Sequence, residues 1–196
     1  MRIVIMLGFI LLTMVDGIAQ PEDKMRALLN TGINLSGLFI GDEPLDSKLS
    51  LERVLFYKRY SRSVSNYAID SLLLIELIRN SNNVDTSYWK ESDFEKSILI
   101  KDREKFVNFK QVKQQLSLTE KSEIRKFRKL ISHYNNTESE NRDIYYISRP
   151  VFSHDKKFAV IMYDNGRNLN GGGAISLFKL EQETWIKLGD LNRWKH

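Results

Sequence analysis

The chain has 196 residues, 42% of them hydrophobic and 28% charged, with 30 Lys and Arg against 25 Asp and Glu for a net charge of +5. That balance excludes an intrinsically disordered chain and supplies enough apolar side chains for a packed core, in one domain or at most two small ones. The complete lack of cysteine excludes a disulfide framework, thiolate metal sites, a cysteine nucleophile and a lipid-modified cysteine anchor, so stability has to come from packing.

The first segment reads as an address. Arg2, an apolar run over residues 3–15 closed by Asp16, and small residues at Gly17 and Ala19 have the order of a secretory signal, with cleavage expected after Ala19 and a secreted or periplasmic product. The run of 13 residues falls short of the roughly 20 that a membrane-crossing helix requires, so no span is expected once the signal is gone. Residues 20–196 read as a single α+β domain, in which 20–92 is mainly helical and 93–196 combines a helix with an antiparallel sheet.

Pro21 followed by Glu22 and Asp23 opens a short helix; Met25, Leu28 and Leu29 repeat at helical spacing, and Gly32 stops it. Leu51, Val54, Leu55 and Phe56 predict a second helix over residues 51–60, with a strand as the alternative. Residues 67–79 are apolar nearly all round and predict a buried central helix, closed by Asn80, Ser81, Asn82 and Asn83. A short strand over 97–100 leads to Asp102, which can cap a helix carrying Phe106 and Phe109 on one face. Ser117 and Glu120 then fit a capping box, with a helix expected to run to Tyr134. That helix places Ile124, Phe127, Leu130, Ile131 and Tyr134 on one side and Lys121, Arg125, Lys126, Arg128 and Lys129 on the other.

Beyond Asp143 β-branched and aromatic residues become dense. Residues 144–149, 158–164, 174–180 and 184–189 predict four strands, and their short connections imply antiparallel pairing. Residues 158–163 are apolar on both faces, which marks a central strand. The expected fold is α+β, a helical N-terminal part packed on a C-terminal antiparallel sheet of four to five strands.

The chemistry-bearing residues are sparse. Ser153, His154 and Asp155 are the residue types of a catalytic triad, but three consecutive side chains diverge, and a hairpin turn is the better reading. His133, His154 and His196 include no pair at the i, i+4 spacing of a zinc helix, so neither a metal nor a cofactor is expected. The loop over residues 164–173 is the most unusual stretch. It lacks the Lys-Ser/Thr ending of a phosphate loop and the spacing of a calcium loop, which leaves a wide β connection whose Asn-Gly and Gly-Gly steps supply positive φ. If the domain recognises a ligand, Arg167, Asn168 and Asn170 are its candidate ligand-binding residues, one planar cationic fork and two amides suited to carboxylates or sugar hydroxyls.

Trp89, Tyr145, Tyr146, Tyr163 and Trp185 are expected in the core or half-buried on strands, with Trp194 as the exposed aromatic. The charges look spread along the chain, as on a solvated surface, and nucleic acid is not expected as a partner. The basic side of the helix before Tyr134 reads first as a complement to the helix dipole, and second as a surface for an anionic polymer or lipid head group.

The segment Tyr146-Ile147-Ser148-Arg149-Pro150-Val151-Phe152-Ser153-His154-Asp155, the strand starting Phe158-Ala159-Val160-Ile161, the Gly171-Gly172-Gly173 turn, Trp185-Ile186-Lys187 and the closing Trp194 follow a recurring order. Over about residues 97–196 this order resembles a group of exported bacterial proteins with no assigned activity. The resemblance implies an α+β domain with an antiparallel sheet and supplies no functional residues. Two function classes stay in competition: an exported non-enzymatic binding or interaction domain with an envelope glycan or a protein as partner, and a hydrolase of envelope or extracellular polymers. In the second, carboxylates such as Glu138, Asp155 and Asp164 would have to converge in the fold.

Overall fold

The structure, a computed structural model, describes residues 21–60, 68–166 and 171–195. Residues 1–19, read from the sequence as a signal, lie outside them. In chain order come α1 (Pro21–Ala27), a π turn (Leu28–Gly32), β1 (Phe39–Gly41), α2 (Ser47–Tyr60), α3 (Ser71–Asn80) and β2 (Ile98–Ile100). They are followed by α4 (Phe109–Gln115), α5 (Lys121–Asn136), β3 (Tyr145–Ile147), β4 (Val151–Phe152), β5 (Phe158–Asn165), β6 (Gly172–Glu181) and β7 (Thr184–Lys195). This is an α+β fold with a seven-stranded mixed sheet in the order β2-β1-β3-β5-β6-β7, and β4 pairs with β5 beside that path.

Among themselves the five C-terminal strands pair antiparallel, with β5 flanked by β6 on one side and by β3 and β4 on the other. The N-terminal half contributes two strands as well. β1 pairs in parallel with both β2 and β3, through Ile40 opposite Leu99 and Tyr145. At three residues each, β1 and β2 are too short to show a period in sequence, and their parallel pairing spans connections that contain whole helices.

Alternation along β5 explains why the sheet is covered on both faces. Ala159 and Ile161 pack with Leu28, Leu29, Ile40, Trp89, Phe94 and Trp185 under α1, its π turn and the loop before β2. Val160 packs on the opposite face with Leu51 and Val54 of α2, Leu74 and Leu77 of α3, and Leu177. A third cluster joins Phe39, Ile98 and Ile100 to Val112 of α4 and to Phe127, Ile131 and Tyr134 of α5. Helices therefore cover both sides of the central strand.

Several local expectations are corrected. The helix expected over 67–79 starts at Ser71, because Asp70 caps it by accepting the Leu72 N–H at 3.1 Å, and it buries one stripe, Leu74 and Leu77. Leu72 on its outer side is 76% exposed, so the helix is not buried all round. Asp102 caps no helix. Its carboxylate accepts the Glu104 N–H at 3.0 Å inside a turn, and α4 waits for Asn108, which accepts the Lys110 N–H at 2.9 Å. Phe106 is 74% exposed rather than packed beside Phe109.

The capping box at Ser117 and Glu120 does not form. Ser117 adopts φ 49° in the turn leaving α4 and donates its N–H to the Gln114 carbonyl, and α5 begins after Glu120 without a side-chain cap. Trp194 is half-buried rather than exposed: it packs against the α2–α3 side of the core and donates its indole N–H to Asp164 at 3.2 Å. The hairpin turns at residues 153–157 and 181–183, the opposed apolar and basic sides of α5, and the burial of Trp89 and Trp185 agree with the sequence reading.

Candidate binding cleft beside a buried arginine

Arg149 sits where one long strand is broken in two. Ile147 pairs with Tyr163 and Val151 with Val160, so three residues on one side face two on the other, a β-bulge. Pro150 has no N–H to give the ladder, and at the break the Ser148 hydroxyl accepts the Met162 N–H at 2.9 Å in place of a backbone carbonyl. The bulge releases Arg149 from the strand alternation.

Its guanidinium is buried and closely held. It lies over the Trp89 indole at 3.7 Å and faces the Asp93 carboxylate at 3.5 Å, with both charged side chains under 10% exposed. It donates to the carbonyls of Ser87 at 3.0 Å and Tyr88 at 3.1 Å. Trp89 is fixed in turn by its indole N–H, which donates to the Ile147 carbonyl at 3.0 Å, and Asp93 accepts the Lys90 N–H at 2.9 Å. The Ser47 hydroxyl donates to the Arg149 carbonyl at 2.8 Å, so the start of α2 joins the same knot. Within this knot the Arg149 Nε is buried without a hydrogen-bond partner among the described residues.

This knot forms part of the walls of two clefts of about 550 and about 510 Å³, on either side of the segment around Asp85. The larger runs from α1 past the end of α3 to the hairpin at residues 153–157. Asn83, Ser87, Ser92, Lys90, His154 and Lys156 line it, and the side chains of Asn83, Ser92 and Lys156 bond to no other described residue. Asp85 lines both clefts; the Ser87 hydroxyl and then its backbone N–H hold the Asp85 carboxyl below the usual range, so it stays ionised at the rim.

The Ser153, His154 and Asp155 trio is a turn. Ser153 donates its hydroxyl to Asp155 at 2.6 Å and accepts the Phe158 N–H at 3.0 Å, while the exposed His154 has its backbone N–H on Glu76 at 2.5 Å. The Ser153 hydroxyl, followed by the Lys157 N–H, keeps the Asp155 carboxyl below the usual range. The hydroxyl is buried and also held by the Phe158 N–H, and a carboxylate kept below the usual range is a weak base, so the pair is built as a turn clamp rather than as an activated nucleophile. Nor do the scattered carboxylates meet. Asp155 and Asp164 lie at opposite ends of β5, separated by about 20 Å at the rise of a strand, and exposed Glu138 accepts from Asn141 at 3.1 Å. Among the described residues no group of three His, Asp or Glu side chains could hold a metal ion.

The candidate residues Arg167, Asn168 and Asn170 lie outside the described residues. The glycines beside them have a packing reason. A Cβ at Gly173 would overlap the Trp194 indole and come within 2.5 Å of the Tyr163 carbonyl, and one at Gly172 would come within 2.5 Å of the Trp194 carbonyl. The Arg149 knot itself was missed in sequence. Its only signals were an Arg-Pro step inside an apolar stretch and an early tryptophan, residues far apart in the chain. No protein family, curated protein or solved structure matches the chain.

Proposed function

We propose that the chain is an exported, non-enzymatic binding domain, and that the cleft beside Arg149 is where it holds a polar ligand such as an envelope glycan. The observation that carries this reading is the cleft of about 550 Å³, with uncommitted amide, hydroxyl and ammonium groups at Asn83, Ser92 and Lys156 along a wall fixed by Arg149, Trp89 and Asp93. Such groups recognise hydroxyls and acetamido groups, and a rigid wall lowers the ordering cost of binding. In the same stretch the Ser153 hydroxyl is buried and tied to Asp155, a carboxylate held below the usual range and so a weak base, which favours binding over turnover.

Calorimetric titration with peptidoglycan disaccharide fragments tests the reading. Binding is expected, with Asn83→Ala and Lys156→Ala each weakening it by about five- to ten-fold, the value of one lost hydrogen bond or one lost bond to a charged group. Absence of binding, or binding that ignores both substitutions, rejects the cleft. Release of cleaved fragments during the titration rejects the non-enzymatic assignment.

A further inference from the structure

The net charge is not spread over this molecule. α5 carries Lys121, Arg125, Lys126, Arg128 and Lys129 against a single acid, Glu123, so this helix holds +4 of the chain's +5. All five cations are exposed, whereas Glu123 is half-buried and paired with Lys96. The other exposed positions of α5 are Ser122, Ser132, His133 and Asn136. Arg125, Lys126 and Lys129 form no ion pair with any described residue, and Arg128 rests over the Phe109 ring at 5.0 Å.

Complementing the helix dipole does not account for this arrangement. A dipole acts over the last turn, while Lys121 and Arg125 lie in the first two turns, where a cation is unfavourable. Lys121 with Arg125, and Arg125 with Lys129, also set like charges four residues apart, which weakens a helix. We propose that this face of α5 seats the protein on a phosphate-bearing anionic lipid surface. The face extends about 24 Å at the rise of an α-helix, and Arg125, Arg128, Lys129, Ser132, His133 and Asn136 line a shallow depression of about 500 Å³ on it. A plane of phosphates meets several of the exposed cations along such a face at once. The apolar side of α5, Phe127, Ile131 and Tyr134, is committed to the core, so the attachment is electrostatic and reversible, without insertion.

The test is co-sedimentation of the full-length chain with vesicles of phosphatidylcholine alone and of phosphatidylcholine mixed equally with phosphatidylglycerol. The apolar residues 3–15 are shared by the unaltered chain and its variants, so a difference between them does not come from that run. The unaltered chain is expected to prefer the anionic vesicles, and to lose that preference in 1 M salt, where the screening length is about 3 Å. The variant Arg125→Ala/Arg128→Ala/Lys129→Ala should lower the ratio about 100-fold, at roughly five-fold per cation, with its melting temperature unchanged. The charge-keeping variant Arg125→Lys/Arg128→Lys should retain the preference. A ratio near one for the unaltered chain, an unaffected triple variant, or capture by inorganic polyphosphate in preference to the anionic vesicles would overturn the proposal.

Discussion

Two buried charges show how single residues stabilise this cysteine-free chain. Arg149 holds the N-terminal loop to the sheet, and Arg149→Ala would leave the Asp93 carboxylate buried without its cation and remove the cover from Trp89. A loss of about 3–5 kcal/mol is expected in urea unfolding, because the stranded charge adds to the lost contacts. Asp93→Asn keeps an oxygen for the Lys90 N–H and should cost about 1–2 kcal/mol, so equal costs for the two variants would reject this division of roles. Asp190 supplies the pH dependence. Burial opposes its ionisation, but Lys187, Ser176 and Arg193 outweigh burial and hold its carboxyl below the usual range. A carboxyl lowered on folding adds stability above its unfolded pKa of about 3.9, and that stability is lost as pH falls through the lower folded value. Unfolding free energy should therefore decline from about pH 5 downward, and Asp190→Asn should flatten the decline in a series of urea melts.

At the scale of elements, the sequence revealed periodic segments and hid irregular ones. The apolar stripe of α5 and the doubly buried β5 were legible because each carries its own period, 3.6 or 2, over several residues. The start of α3 was misjudged because Asp70 decides it, and one capping carboxylate outweighs three further apolar residues in the row. β1 and β2 carry no period of their own, and the cleft is formed by segments that become neighbours only once the bulge at Arg149 exists. The glycine connection was legible as a turn but not in its purpose, which is room for Trp194. Gly173→Ala should accordingly destabilise by about 1–3 kcal/mol or more through overpacking, whereas Lys156→Ala at the other hairpin should stay within about 0.5 kcal/mol. Thermal melts of the two variants decide it. In the β6–β7 hairpin Gln182 and Glu183 both adopt positive φ, 45° and 66°, without glycine or asparagine. Glu183→Gly should stabilise that turn by about 1 kcal/mol, read as a higher urea midpoint with unchanged slope.

For the molecule as a whole, the decisive arrangement is the insertion of β1 between β2 and β3. This strand comes before most of the N-terminal helices, yet Ile40 is fully buried among Ile147, Ile161 and Phe178 of the C-terminal sheet. Removing the N-terminal half would uncover that face, and removing the sheet would leave α1 with its π turn nothing to pack on. The two halves should therefore unfold together. The tryptophans report on each: Trp89 sits in the N-terminal loop and Trp185 on β7, both buried in one cluster. Far-ultraviolet circular dichroism, which follows helices, and tryptophan fluorescence of a Trp89→Phe variant, which emits from β7, and of a Trp185→Phe/Trp194→Phe variant, which emits from Trp89, should give one coincident urea transition within each variant. Ile40→Ala should lower every probe's midpoint together, by about 2–5 kcal/mol of stability, since a cavity there is shared by both halves. If the helical signal melted apart from Trp185 fluorescence, the sheet would be folding without its N-terminal strand, and the short parallel pairings of β1 would be too weak to bind the halves into one unit.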